Sequence, residues 1–290
     1  MKILITGCNG QVGYCLTQRL KSKAEVLALD YDGLDITDQQ AVMQTVNEFQ
    51  PDYIINAAAH TAVDRAEQEV ELSYAINRDG PRNLAEAAQQ VNAVLLHIST
   101  DYVFDGDGEQ PYEESDATAP QGVYGQSKLE GELIVARSCD KHLILRTAWV
   151  FGEHGNNFVK TMLRLAQTRD ELNIVGDQVG GPTYAGDIAD ALITMVDSIE
   201  QGQQPEWGVY HFSGMPYASW YEFAAKIFEV AVNNRVLEKQ PNISAIPTSD
   251  YPTPAKRPAN SRLNCSKIED QFGIIPSDWI LALDNIQAYQ

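Results

Sequence analysis

Apolar residues in the first half of the chain fall into short dense runs: Lys2-Ile-Leu-Ile-Thr6, Glu25-Val-Leu-Ala-Leu-Asp30, Tyr53-Ile-Ile-Asn-Ala57, Val94-Leu-Leu-His-Ile-Ser99 and His142-Leu-Ile-Leu-Arg146. Each has strand length and is apolar on both faces. Between them the apolar spacing is helical over Gln11 to Lys21, from Thr37-Asp-Gln-Gln40 to just before Pro51, over Glu71 to Gln90, and over Ser127 to Arg137. Thr37 to Gln40 resembles a capping box, Gly80-Pro81 predicts a break in the third helix, and the glycine inside the fourth weakens it. Two-faced strands alternating with helices indicate an α/β fold, a Rossmann-type doubly wound parallel sheet.

After about Arg146 the rhythm changes. Helices are expected over Asn157 to Arg169, Asp187 to Ile199, Ser219 to Val232 and Pro276 to Ala288, with a proline-rich extended connector from Ile246 to Pro258. This divides the chain into a first domain at 1–146 and a smaller α+β lobe over most of 147–290. Segments near 183–202 and 253–272 are expected to return to the first domain.

Charge narrows the partners. Forty acidic against 21 basic residues give a formal charge of −19, which argues against nucleic acid and anionic membranes. Cys8, Cys15, Cys139 and Cys265 are scattered, with no Cys-x-x-Cys or Cys/His cluster. That argues against zinc and fits a reducing cytoplasm. The opening residues do not read as a signal peptide, and no apolar run has transmembrane length. A cytoplasmic protein acting on a small molecule is the expectation.

The first strand runs straight into Gly7-Cys-Asn-Gly10-Gln11-Val12-Gly13, which opens a helix. Glycines there permit a tight turn and close approach of backbone to phosphate, and the helix N-terminus adds free N–H groups and a favourable dipole. The spacing is Gly-x-x-Gly-x-x-Gly rather than Gly-x-Gly-x-x-Gly. Its position makes it a dinucleotide-binding turn, so 1–146 reads as an NAD(P)-binding domain. Asp30, ending the second strand, can accept from the adenosine ribose hydroxyls. No arginine follows in Tyr31-Asp-Gly-Leu-Asp35, which favours NADH while leaving NADPH open. Asp35 and Ile36 are placed to flank the adenine. Ala57, Ala58, Ala59, His60 and Thr61 follow the third strand; small residues there let backbone lie against the cofactor or serve close helix–sheet packing.

Tyr124 and Lys128 lie one turn apart on a helix face. A lysine ammonium near the phenol favours the phenolate and lowers the tyrosine pKa, making the phenol a usable proton donor.

Gly7 to Gly13, Asp30, Asn56-Ala-Ala-Ala59 and Tyr124-x-x-x-Lys128 together resemble the extended short-chain dehydrogenase/reductase family, and Asn77 to Ala87 is similar to that family's helix under the active site. Ser99-Thr-Asp-Tyr-Val-Phe-Asp-Gly106, Arg146-Thr-Ala-Trp-Val150, Asp177-Gln-Val-Gly-Gly-Pro-Thr183 and Arg257-Pro-Ala-Asn-Ser-Arg-Leu263 narrow the likeness to its sugar-nucleotide reductases. The resemblance implies reduction of the C4 keto group of dTDP-4-dehydro-L-rhamnose. Tyr124 would give the proton, Lys128 would hold the nicotinamide ribose, and Thr100 would hydrogen-bond the substrate oxygen. Asp101 and Trp149 would contact the sugar, Trp149 being readable also as a core tryptophan. Asn156, Asn157, Lys160 and Arg257 would serve the diphosphate and thymidine, although Arg257 also reads as a surface residue.

Some relatives bind Mg2+ through acidic residues at a dimer contact; Cys15 stands where a glutamate would be expected, so no metal is assigned. The resemblance leaves monomer or homodimer open. Its rivals are epimerases and dehydratases of the same fold, and a non-catalytic regulatory binding subunit. Dehydratases carry Asp-Glu after the active threonine, whereas here Asp101 is followed by Tyr102, which favours simple reduction.

Overall fold

The computed structural model describes residues 1–290. Strands β1 (Lys2–Thr6), β2 (Glu25–Leu29), β3 (Tyr53–Asn56), β4 (Val94–Thr100), β5 (His142–Thr147) and β6 (Gly208–His211) form one sheet in the order β6-β5-β4-β3-β1-β2. Every pairing in it is parallel. The alternation along β1 shows why both faces are covered. Ile3 and Ile5 pack with Val12, Leu16 and Leu20 of helix α1 (Gln11–Leu20). Leu4 points the other way, into a core with Val42 and Val46 of α2 (Gln39–Phe49), Leu84 and Ala88 of α3 (Gly80–Val91) and Val135 of α4 (Val123–Ser138).

The sixth strand lies outside the runs read from sequence. Gly208-Val-Tyr-His211 is short and sits in the second half, yet it pairs with β5. Helix α6 (Ala185–Glu200) packs beside α1, following α5 (Phe158–Ala166), and belongs to the same core. A second core gathers Phe151, Val159, Met162, Trp279 and Tyr289 around Phe223, Ile227 and Phe228 of α7 (Trp220–Asn233). Ser219 and Glu222 close a complete capping box on α7.

Three local expectations are corrected. The N-cap of α2 is Asp38, whose carboxylate accepts from the Gln40 and Ala41 N–H groups; Thr37 instead bonds Asp35. The helical stretch is not broken at Gly80-Pro81. Val70–Tyr74 runs through a π-turn at Ala75–Asp79 into α3, and the wider turn precedes the proline, which sits in the first turn of α3 and needs no N–H there. Gly131, inside α4, costs helix propensity but also serves packing, since a Cβ there would lie 2.1 Å from the Asn77 carbonyl oxygen. The closing helix is only Trp279–Ala282, capped by Asp278 and continued as 3₁₀ turns to Tyr289. No helix is long and apolar enough to cross a membrane.

Candidate active site

The strand order reverses between β1 and β3, and at their carboxyl ends lies the crevice where open α/β sheets place ligands. Gly7 has φ +70°, and a Cβ on it would lie 2.6 Å from the Ala58 nitrogen. A Cβ on Gly13 would lie 2.0 Å from the Gly7 carbonyl oxygen. The turn therefore excludes every side chain at both positions and leaves backbone N–H groups at the start of α1. Gly10 donates to the Gly7 carbonyl at 3.1 Å. The Val12 side chain is buried in the core, so what it offers the crevice is its main chain.

The other residues read as cofactor contacts take different places. Asp30 is half-buried at the end of β2 and accepts from the Tyr31 N–H at 2.8 Å. The Asp35 carboxylate accepts from Thr37 N and Oγ1 at 2.9 and 2.7 Å, and Ile36 is buried against Gly80. Ala57, Ala58 and Ala59 are partly buried beside the glycine turn, and Thr61 is exposed. His60 is pinned by Asn77, which accepts from its N–H at 2.8 Å and donates to its carbonyl at 3.1 Å. Asn77 also donates to Ser127 Oγ at 3.1 Å, tying this loop to α4.

The reactive end is assembled from distant segments. Thr100 ends β4, Tyr124 stands in the first turn of α4, and both are buried. Burial pushes the Tyr124 phenol up to about 12, with the adjacent Thr100 hydroxyl acting the other way. This corrects the expected lowering by Lys128. The Lys128 ammonium instead donates to the Ile98 carbonyl, at 2.6 Å, with its Nζ 3.4 Å from His97 Nε2. Tyr124 is thus held as a neutral phenol, the form a proton donor needs. Lys128 is itself 2% exposed, and burial lowers its pKa to about 8 against the opposing pull of Glu132. Glu132 is engaged in a buried bidentate pair with Arg146, at 2.9 and 2.6 Å.

Asp101 follows Thr100 and accepts from its hydroxyl at 3.1 Å. Burial raises its pKa to about 6 against hydrogen bonds from Ser261 and Thr100. Its Oδ2 is buried with no partner, as is Nη1 of Arg257, whose Nη2 donates to Asp64 at 2.6 Å. Buried polar atoms without partners are rare in folded proteins, and these two belong to residues read from sequence as substrate contacts. Tyr102 packs edge-on against Tyr124, with ring centroids 5.4 Å apart.

Trp149 holds φ +49°, a conformation bulky residues rarely adopt, and stacks on Trp220 at 3.5 Å between ring centroids. Asn157 is the N-cap of α5 and spends its amide within the protein, donating to the Gly152 carbonyl at 2.6 Å and to Gln11 Oε1 at 3.1 Å. Gln11 thereby braces the glycine turn to the second core. Asn156 is exposed and Lys160 half-buried.

Sequence reading gave no role to Ser261 or His97. Ser261 lies in the Arg257–Leu263 run without distinguishing pattern; His97 carried a signal, a lone imidazole in an otherwise apolar strand. A cavity of about 780 Å³ opens elsewhere, between Glu113, Gly208 and Lys267, and shares no residue with this cluster. No three His, Cys, Asp or Glu side chains converge as metal ligands.

The doubly wound sheet, the glycine turn and the Thr100–Tyr124–Lys128 cluster define an oxidoreductase of the nucleotide-binding α/β class. Residues 1–289 match the RmlD substrate binding domain model. A dTDP-4-dehydrorhamnose reductase of Aggregatibacter actinomycetemcomitans is 53% identical over 290 residues, covering 99% of each chain. The crystal structure of a dTDP-4-dehydrorhamnose reductase from Clostridium acetobutylicum superposes with a TM-score of 0.91 at 43% identity, covering 98% of each chain. That of the Bacillus anthracis reductase, in complex with NADP, does so at 0.91 and 38% identity, over 100% of this chain and 99% of that one. The chain belongs to the dTDP-4-dehydrorhamnose reductase family.

Proposed function

We propose that the protein reduces the C4 keto group of dTDP-4-dehydro-L-rhamnose to give dTDP-L-rhamnose, using NADH or NADPH. The observation that carries this reading is the buried, neutral Tyr124 phenol beside Thr100 and the unpartnered Asp101 oxygen. A nicotinamide dinucleotide, when bound, supplies the hydride. The bare glycine turn, whose Gly7 and Gly13 admit no Cβ, fits its pyrophosphate, with the N–H groups at the start of α1 as donors. Asp30, with no arginine beside it, accepts from the adenosine ribose and favours NADH over NADPH. Asp35, Ile36 and the Ala57–Thr61 loop line the same side. Thr100 Oγ1 orients the substrate carbonyl, and Tyr124 gives its phenolic proton to the oxygen as hydride reaches C4. Lys128 holds the nicotinamide ribose. Asp101 Oδ2 takes a sugar hydroxyl, Trp149 packs on the sugar ring, and Arg257 Nη1 meets the diphosphate.

Residues 1–146, with the segments near 183–202 and 253–272, act as the NAD(P)-binding domain, and the rest of 147–290 acts as the sugar-nucleotide lobe of a cytoplasmic enzyme. The test is oxidation of NADH and of NADPH with the keto sugar, by wild type and Tyr124→Phe. Wild type turns over with either cofactor, and loss of the general acid cuts kcat by about 10²–10⁴-fold while dinucleotide affinity holds. Unchanged turnover in Tyr124→Phe overturns the assignment. Tightly retained, stoichiometric NAD on purification would point instead to an epimerase or dehydratase.

A further inference from the structure

A chain of buried hydrogen bonds runs behind Lys128. The Asn56 amide is oriented by two donors, because its Oδ1 accepts from Thr6 Oγ1 at 2.7 Å and from the Ala58 N–H at 3.1 Å. Its Nδ2 must then donate to His97 Nδ1, which stands 3.0 Å away. A neutral imidazole that accepts at Nδ1 carries its proton on Nε2. His97 is fully buried, and burial together with the Lys128 charge keeps it neutral. Its Nε2–H therefore points at Lys128 Nζ, 3.4 Å away. An ammonium has no lone pair to receive that hydrogen, whereas an amine does.

We propose that His97 is a positioning residue that, locked by Asn56 and Thr6 as the Nε2–H tautomer, disfavours the ammonium form of Lys128 and leaves the Ile98 carbonyl as the one acceptor for it on β4. The proposal rests on the reductase reading for its kinetic consequence and on the hydrogen-bond chain alone for its structural one. With the ammonium present, only the Ile98 carbonyl receives one of its hydrogens on the β4 side; the others are left to face the crevice and the cofactor ribose. The neighbouring charges do not replace this control. Glu132, on the same helix, is held by Arg146; Asp101 lies by Tyr124; and Arg78 and Glu130 pair with each other on the outer, half-exposed side. The same chain joins Lys128 to the loop after β3, because the Ala58 nitrogen that orients Asn56 lies against Gly7.

Two measurements decide it. In the full-length protein, 15N NMR of the histidine ring should show His97 as the Nε2–H tautomer, untitrated from pH 5 to 9; an Nδ1–H pattern overturns the proposal whether or not the protein reduces the keto sugar. In the pH profile of kcat/KM, the alkaline limb reports loss of the Lys128 proton. His97→Leu removes the Nε2–H and should move that limb up by about one pH unit. His97→Gln, with an amide oxygen for Asn56 and an N–H for Lys128, should restore it to within a few tenths. Asn56→Asp, which demands a proton on His97 Nδ1 and leaves Nε2 as an acceptor, should move it up as well and covers the case in which His97→Leu does not fold. A limb unmoved in folded His97→Leu or Asn56→Asp, or equally displaced in Leu and Gln, refutes the assignment. Absence of any wild-type turnover would instead count against the reductase reading and leave the NMR result to judge the tautomer.

Discussion

The two ends of the crevice are built on opposite principles. At the nucleotide end the work is done by missing atoms: Gly7 and Gly13 are bare where any Cβ would strike backbone. At the reactive end it is done by polar atoms held out of water: Thr100, Asp101, Tyr124 and Lys128 are all buried, and one Asp101 oxygen has no partner. The first end is a steric device, fixed by volume. The second is an electrostatic one, in which folding energy has been given up to hold groups in protonation states useful for chemistry. Adding an atom should damage the first, and removing a charge should relieve the second.

The largest expected effect tests the steric end. In Gly13→Ala the new methyl would lie 2.0 Å from the Gly7 oxygen, so the turn must open. Stability should fall by about 3 kcal/mol, read by chemical denaturation, and dinucleotide binding should be lost in titration calorimetry. A folded variant that binds cofactor normally would show that the turn is looser than its contacts imply.

The reactive end should respond in the other direction. The Asp101 carboxyl rises from 3.8 to about 6 on burial. Below about pH 4 it is neutral in both the folded and unfolded chain and costs nothing. As pH rises from about 4 to 6 the unfolded chain releases its proton first, so the folded state loses stability, and above the folded pKa the full cost is present. Asp101→Asn should remove this slope. At pH 7 it should gain up to about 3 kcal/mol in denaturation, although turnover falls with the carboxylate gone. A variant that loses stability at pH 7 would mean that the bonds from Ser261 and Thr100 outweigh the burial cost.

The same contrast explains what was legible in the sequence. The glycine turn is contiguous, so Gly7, Gly10 and Gly13 read directly as backbone geometry between a strand and a helix. The strands β1 to β5 were legible because burial on both faces leaves an unbroken apolar run. β6 was not, since Gly208–His211 is short and lies among loops of the second half. The reactive end is tertiary: Arg257 meets Asp64 across 193 positions, and Ser261 meets Asp101 only after the chain has folded back. Spacing placed Tyr124 and Lys128 on one helix face, but it could not show that the ammonium turns toward β4, because His97 and the Ile98 carbonyl enter only through the sheet. The expected lowering of the Tyr124 pKa failed for that reason: burial of the phenol outweighed a charge directed elsewhere.

The smallest effect tests whether the two ends are coupled. Asn157 caps α5 and also donates to Gln11, the residue after the second glycine of the turn. Two roles in one amide make it a brace between the nucleotide turn and the second core. Asn157→Ala should cost about 1 kcal/mol as a lost cap. Asn157→Asp keeps the cap, since the carboxylate still accepts from Lys160 N and complements the helix dipole, but it no longer donates to Gln11 or to the Gly152 carbonyl. If the brace matters, Asn157→Asp raises the KM for NADH while losing no more thermal stability than Asn157→Ala. If KM is unchanged in Asn157→Asp, the turn holds its shape through its glycines alone, and the steric end is independent of the lobe it faces.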